Sequence, residues 1–349
     1  MDAPPPSWVG TRSDADEDDP PPAAYVPPPG PPGGRTFSLD GRPAPALYLL
    51  AWLLSVGGVA MLFVTSQAAP SFGRSLLVIG AIVALALGLS AAAGYQVVAR
   101  RGRDDAFYRG PAPLLVFGVV FALSALASGL LAGTGAVDPE APFGFLLGLL
   151  LVAGTYLLSV WLFVVRTGAL TWAEMGWPTR GAGRLRLALQ GIGVGALVMI
   201  PTTFAALMLA GIVATVLGVD APSVVPNAST SAEALAIALA AAIVAPVGEE
   251  LFFRGFALTA WARDLPERTA LIRSALFFAL VHIANINAAS FREGASQAAL
   301  QIAVILPIGL VLGWLFLRRG IMASIAGHMT YNGVLLGLMQ IASGTSTGA

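Results

Sequence analysis

The chain has 349 residues, of which 56% are hydrophobic and 11% charged, with no net charge and no cysteine. A soluble globular domain carries about 25% charged residues; here repeated apolar runs of roughly 20 residues, each long enough to cross a bilayer, indicate a polytopic membrane protein. Zero net charge leaves no basic surface for nucleic acid, and the absence of cysteine excludes disulfides, thiolate nucleophiles and Cys-ligated metals.

Residues 1–43 differ from everything after them. They are proline-rich, with an acidic cluster from Asp14 to Asp19. Such a segment buries too little apolar surface to fold and reads as a disordered, solvated tail. It lacks the basic start and apolar core of a signal peptide.

Nine apolar spans follow, near 45–66, 75–98, 113–134, 143–165, 187–217, 232–258, 269–290, 296–317 and 321–341. The expected fold class is all-α: a transmembrane helix bundle of about 8–9 spans behind a disordered N-terminal tail. Three regions are expected: the tail (1–43), N-terminal transmembrane helices (44–186) and a C-terminal transmembrane core (187–345). The fifth span contains Pro201, which predicts a kink or tilt. Gly191 and Gly195 stand at the spacing that allows close helix packing.

Arginines set the orientation. They gather after span two (Arg100, Arg101, Arg103, Arg109), after span four (Arg166, Arg180, Arg184, Arg186), after span six (Arg263, Arg268) and after span eight (Arg318, Arg319). The opposite loops hold Arg74 and Arg292. This alternation predicts a cytoplasmic N-terminus and an external C-terminus, in a multi-pass protein of a bacterial plasma membrane. Between spans four and five, "TWAEMGWPTR" (Thr171–Arg180) reads as an interfacial turn, with Trp172 and Trp177 at the membrane boundary.

The polar groups of the last four spans carry the chemistry. "APVGEELFFRGF" (Ala245–Phe256) puts Glu249, Glu250 and Arg254 into an apolar segment, where ionised groups are expensive and mark function. Both histidines of the chain, His282 and His328, fall in this region. Glu250 and Arg254 are four apart, acid before base, a favourable helical pair. Glu249 points about 100° away from Glu250 around the axis, which predicts that Arg254 neutralises Glu250 and leaves Glu249 to face a pocket. Phe278 and His282 share one helix face, as do His328 and Asn332.

"EELFFR" (Glu249–Arg254), "FALVH" (Phe278–His282) and "HMTYN" (His328–Asn332) match EExxxR, FxxxH and HxxxN. In that order on successive membrane segments, they resemble the three motifs of the CPBP family. That family includes type II CAAX prenyl endopeptidases and bacterial Abi or bacteriocin-immunity proteins. The resemblance covers roughly residues 235–337. It implies intramembrane proteolysis, with Glu249 and His282 activating a water, His328 and Asn332 stabilising the oxyanion, and Glu250, Arg254 and Phe278 in support. It also implies a membrane-associated protein or peptide as substrate and no obligatory cofactor.

Burial raises a carboxylate toward the range of a general base. An imidazole and an amide on one face offer two donors to an alkoxide. Two other readings keep the same residues. Glu249, His282 and His328 make a His₂Glu set for zinc with an open position for water, although no HExxH helix accompanies it. A non-catalytic immunity or partner-binding protein would retain the fold alone. A transporter fits poorly, because the polar groups cluster in one half of the chain, unlike an inverted repeat.

Overall fold

The computed structural model describes residues 39, 43–66, 71–99, 108–133, 135, 137–138, 140–178, 182–219, 225–283, 286 and 290–346. Nearly all of the tail, together with Arg100, Arg101, Arg103 and Arg180, lies outside the described residues.

Every regular element among the described residues is helical: α1 (Pro45–Ser66), α2 (Phe72–Ala99), α3 (Pro113–Gly133), α4 (Pro142–Val160), α5 (Ala182–Leu217), α6 (Ser231–Leu239), α7 (Ala245–Glu250), α8 (Thr259–Asp264), α9 (Glu267–His282), α10 (Phe291–Arg319) and α11 (Ile321–Ser346). α4 ends in a π-helical turn, Trp161–Val165. Two further π-helical segments, Ala240–Val244 and Leu251–Leu258, join α6, α7 and α8 into one continuous helix. Thr230 starts it with a capping box: its hydroxyl accepts from the Glu233 N–H, and the Glu233 carboxylate returns to the Thr230 N–H.

Six helical stretches are long and apolar enough to cross a membrane: Pro45–Leu62, Phe72–Ala99, Pro142–Val165, Ala188–Leu217, Ser231–Asp264 and Arg292–Arg319, with Pro113–Gly129 a shorter apolar one. A chain built this way is an integral membrane protein. The expected 8–9 spans stand at six by this measure. α9 has only 16 residues, about 24 Å at 1.5 Å each, and begins with Glu267 and Arg268. It ends at His282, where the sequence pattern predicts continuation to 290. α11 is long enough, but Ser324, His328, Thr330 and Asn332 dilute its apolar character. The two elements that carry the histidines thus both lie outside the six.

The core forms around the fifth stretch, Ser231–Asp264. Phe252, Phe253 and Phe256 are buried with Phe117 of α3 and Tyr156 of α4. The Phe117 ring lies 5.8 Å from that of Phe252 and 5.0 Å from that of Phe277, the latter edge-on. On another side, α5 packs against α10 and α11 through Met199, Ile308, Leu312 and Ala323. Gly195 makes this approach close: a β-carbon there would fall 3.1 Å from Ala323 Cα and collide with the Ala323 carbonyl oxygen. α5 runs through Pro201 as one helix of 36 residues.

The turn after α4 is tied to the end of α8. The Thr171 N–H and hydroxyl both donate to Glu174 Oε2, at 2.6 and 2.8 Å, while Arg263 Nη2 donates to Glu174 Oε1. Partial burial alone would raise the Glu174 carboxyl; the bonds from Thr171 and Arg263 outweigh it and hold the group below its ordinary value. Trp172 and Trp177 meet edge-on at 6.2 Å and pack onto the core from this turn.

Candidate active site

The site begins with Pro246. Proline has no N–H, so a helix running through it leaves carbonyls one turn earlier without their donor. The π-helical segment before it takes up this defect: the Ala245 N–H bonds Ala240 O instead of Ala241 O. Ala241 O would find its i+5 partner at Pro246, which cannot donate. Asn332 Nδ2 fills the place, donating to Ala241 O at 2.7 Å. The second π-helical segment is treated in the same way. Ser274 Oγ donates to Phe253 O at 2.9 Å and Thr259 Oγ1 to Arg254 O at 3.4 Å. π-helical turns of this kind occur often at functional sites, and here they flank the two glutamates.

Glu250 and Arg254 are both fully buried, with Arg254 Nη1 donating to Glu250 Oε1 at 2.8 Å. Arg254 Nη2 donates to Gly309 O of α10 at 3.2 Å, and the guanidinium stands 4.1 Å from the centre of the Phe278 ring. Glu250 also accepts from His328 Nδ1 at 2.9 Å and from Ser324 Oγ. One carboxylate therefore gathers side chains from its own helix and from α11, while its counter-ion reaches α10 and α9. Such a buried pair is tolerated when the remaining lone pairs and protons are hydrogen-bonded.

Glu249 is differently placed. Its side chain keeps 22% of its surface exposed, and its Oε2 lies 3.9 Å from His282 Nε2 and 3.9 Å from His328 Nε2. Each ring is fixed from behind. His282 Nδ1 meets Phe278 O at 2.7 Å; a carbonyl only accepts, so Nδ1 carries the proton. His328 Nδ1 likewise donates to the Glu250 carboxylate. In the neutral rings both Nε2 atoms are left with a lone pair, and both are turned to Glu249. The Phe278 ring separates the two imidazoles, 4.5 Å from His282 and 5.8 Å from His328.

The structure thus brings Glu249, Glu250, Arg254, Phe278, His282 and His328 together. Asn332 sits one turn beyond His328 on the same face, with one amide hydrogen engaged by Ala241 O. Ser324 and Gly309 also belong to the site, although the motifs assign them no role. Ser324 could have been found: Ser324, His328 and Asn332 recur every four residues on α11, so they share a face. The carbonyl of Gly309 leaves no trace in a side-chain pattern.

Zinc can be tested against these positions. Tetrahedral zinc with bonds of about 2.1 Å keeps its ligand atoms ~3.4 Å apart. The 3.9 Å separations are wider, and a water at about 2.8 Å from each partner spans them. Among the described residues no three His, Asp or Glu side chains converge as a metal site would require. The anchored Nδ1 atoms do match the outer-shell pattern of metal-bound histidines.

Residues 231–334 match the family model described as "Rce1-like: Type II CAAX prenyl endopeptidase Rce1-like". This stretch holds α6–α10, most of α11 and all three motifs, and leaves α1–α5 outside. No curated protein matches the chain, and no solved structure does.

Proposed function

We propose that this chain is an intramembrane endopeptidase that cleaves a membrane-associated protein or peptide with a water activated by Glu249 and His282. The observation that carries the proposal is the gap between Glu249 Oε2 and the two Nε2 atoms, sized for one water. The similarity of residues 231–334 to type II CAAX prenyl endopeptidases supports the reaction class.

In this mechanism Glu249 takes a proton from the water as its oxygen attacks the scissile carbonyl carbon. The new C–O bond leaves a tetrahedral oxyanion. His328 donates to it through Nε2–H, in the imidazolium form with Nδ1–H held by Glu250, and Asn332 offers its second amide hydrogen. Such a donor is typically worth ~3 kcal/mol. The C–N bond then breaks, and Glu249 returns its proton to the leaving amine. Glu250 and Arg254 take no proton; they hold His328 and the helix in place.

The zinc reading has one observation in its favour, the anchored Nδ1 atoms, and the two readings part under chelation. Purified protein in detergent should cleave a peptide library, Glu249→Gln should abolish turnover while remaining folded, and a strong zinc chelator should leave the wild type active. Activity lost to the chelator and restored by stoichiometric Zn²⁺ would instead make Glu249, His282 and His328 ligands.

A further inference from the structure

α9 carries a charge on the side that faces away from the bundle. Ile272, Leu276 and Leu280 are its exposed large apolar residues and mark the face that the other helices leave uncovered. Arg273 is exposed on that same face, one turn before Leu276 and two before Leu280. An ionised residue of a membrane helix almost always turns inward or pairs. Arg273 enters no ion pair among the described residues, whereas Arg263 and Arg318, at the same end of the bundle, are taken up by Glu174 and Glu267. Asp264 acts on Arg273 electrostatically without pairing with it, and its carboxylate accepts from the Tyr108 N–H at 3.1 Å.

Arg273 does have an aromatic neighbour. Its guanidinium stands 5.6 Å from the centre of the Trp261 ring. Trp261 of α8 is only 3% exposed, and its indole N–H finds no hydrogen-bond partner. A tryptophan buried this deeply usually has one, and a buried donor left unmatched is costly. A cation without a counter-ion and a donor without an acceptor therefore stand side by side. One anion would satisfy both.

Their position says which kind of anion. Helical side chains lean toward the helix N-terminus. Arg273 lies about 9 Å along α9 from Glu267, so it reaches back toward the end of the bundle where the turn bearing Trp172 and Trp177 is tied to α8. Tryptophans and snorkelling arginines meet lipid headgroups at that level. From there Leu276 and Leu280 lead away along α9 as an apolar track for an acyl chain. Arg268 and Arg319, exposed at the same end, add positive charge, which favours an anionic lipid over a zwitterionic one.

We infer that Arg273 and Trp261 form a binding site for the phosphate of an anionic phospholipid. One phosphate oxygen accepts from the guanidinium and another from the indole N–H, while an acyl chain lies along Leu276 and Leu280.

The test uses the full chain, stripped of lipid in a mild detergent and titrated with phosphatidylglycerol, with bound lipid counted by native mass spectrometry. Wild type should hold one phosphatidylglycerol more tightly than phosphatidylcholine. Arg273→Gln should weaken that binding about tenfold, and Arg273→Lys should restore part of it. Trp261→Phe keeps a ring beneath the cation but removes the N–H, so it should weaken binding too. Arg268→Gln should change little. Unaltered binding in Arg273→Gln overturns the site, and equal losses in Arg268→Gln and Arg273→Gln overturn it in favour of diffuse charge attraction. Glycerol phosphate carries the anion without the chains and should not displace the lipid; displacement would reassign the pocket to a soluble phosphate and overturn the lipid. Should Arg273→Gln fold poorly, Trp261→Phe decides alone, and unaltered binding there refutes the site. No turnover is needed, so the result is independent of the peptidase proposal.

Discussion

Arg254→Met removes the buried cation while keeping most of the side-chain volume beside Phe278. Glu250, fully buried, would then face Ser324 and His328 without its counter-ion. Breaking a buried pair by deleting one partner costs about 3–5 kcal/mol. The two surviving hydrogen bonds to Glu250 place the expected loss near the lower end, about 3 kcal/mol. At 2–4 °C per kcal/mol, thermal unfolding in detergent should fall by roughly 6–12 °C. Combining Arg254→Met with Glu250→Leu removes both charges, and a well-packed apolar replacement of a buried pair is often neutral. The double variant should therefore unfold above Arg254→Met alone. Glu249→Gln, which touches no member of this pair directly, should unfold close to wild type. An Arg254→Met protein within a degree of wild type, or a double variant less stable than the single, would refute the division of labour between the two glutamates.

Asn332→Leu strips the Ala241 carbonyl of its donor as well as the site of an amide, so stability should drop by about 1–3 kcal/mol along with turnover; loss of turnover at unchanged stability would contradict the structural half of that role. Gly195→Ala overpacks α5 against the Ala323 backbone and should cost about 1–3 kcal/mol, with cleavage falling further because α11 carries His328; unaltered melting would show that the helices separate freely. Glu174 is held below its ordinary carboxyl value, so it contributes stability above that value, which is lost as pH falls through the depressed one. The acid decline in melting temperature should accordingly be shallower in Glu174→Gln than in wild type, and parallel declines would argue against the Thr171–Arg263 clamp.

How much of this was written in the sequence depends on the range of the interaction. Local spacing was sufficient for the Glu250–Arg254 pair and for the shared faces of Phe278 with His282 and His328 with Asn332, since helix geometry turns a four-residue interval into a contact. Run length was sufficient for α1, α2 and α3, whose boundaries lie within three residues of the expected spans. It misjudged α9, where apolar residues continue past His282 although the helix does not. The contacts that close the site come from 55 to 91 residues away: Gly309 on Arg254, Ser324 and His328 on Glu250, Asn332 on Ala241. The four-residue recurrence of Ser324, His328 and Asn332 groups them on one face of α11 but does not announce which groups they meet. A backbone acceptor such as Gly309 O has no side-chain signature at all.

Pro246 links the helix defect to the chemistry. A regular helix through Ala241–Gly255 would satisfy its own backbone and leave little for α11 to bind. Proline breaks that closure by withholding one N–H, and the freed Ala241 carbonyl becomes the anchor for Asn332. With Asn332 tied there, and Ser324 and His328 tied to Glu250, three residues at four-residue intervals hold α11 to the glutamate-bearing helix along one face. That face sets where His328 Nε2 points, and Phe278 O does the same for His282. Both imidazoles are thus directed by bonds on their far sides, with each Nε2 at 3.9 Å from Glu249 Oε2. The charges are buried in the membrane because neighbouring helices, and not lipid, surround them: Glu250 is the structural carboxylate that fixes the scaffold, and Glu249 is the one the scaffold leaves unpaired.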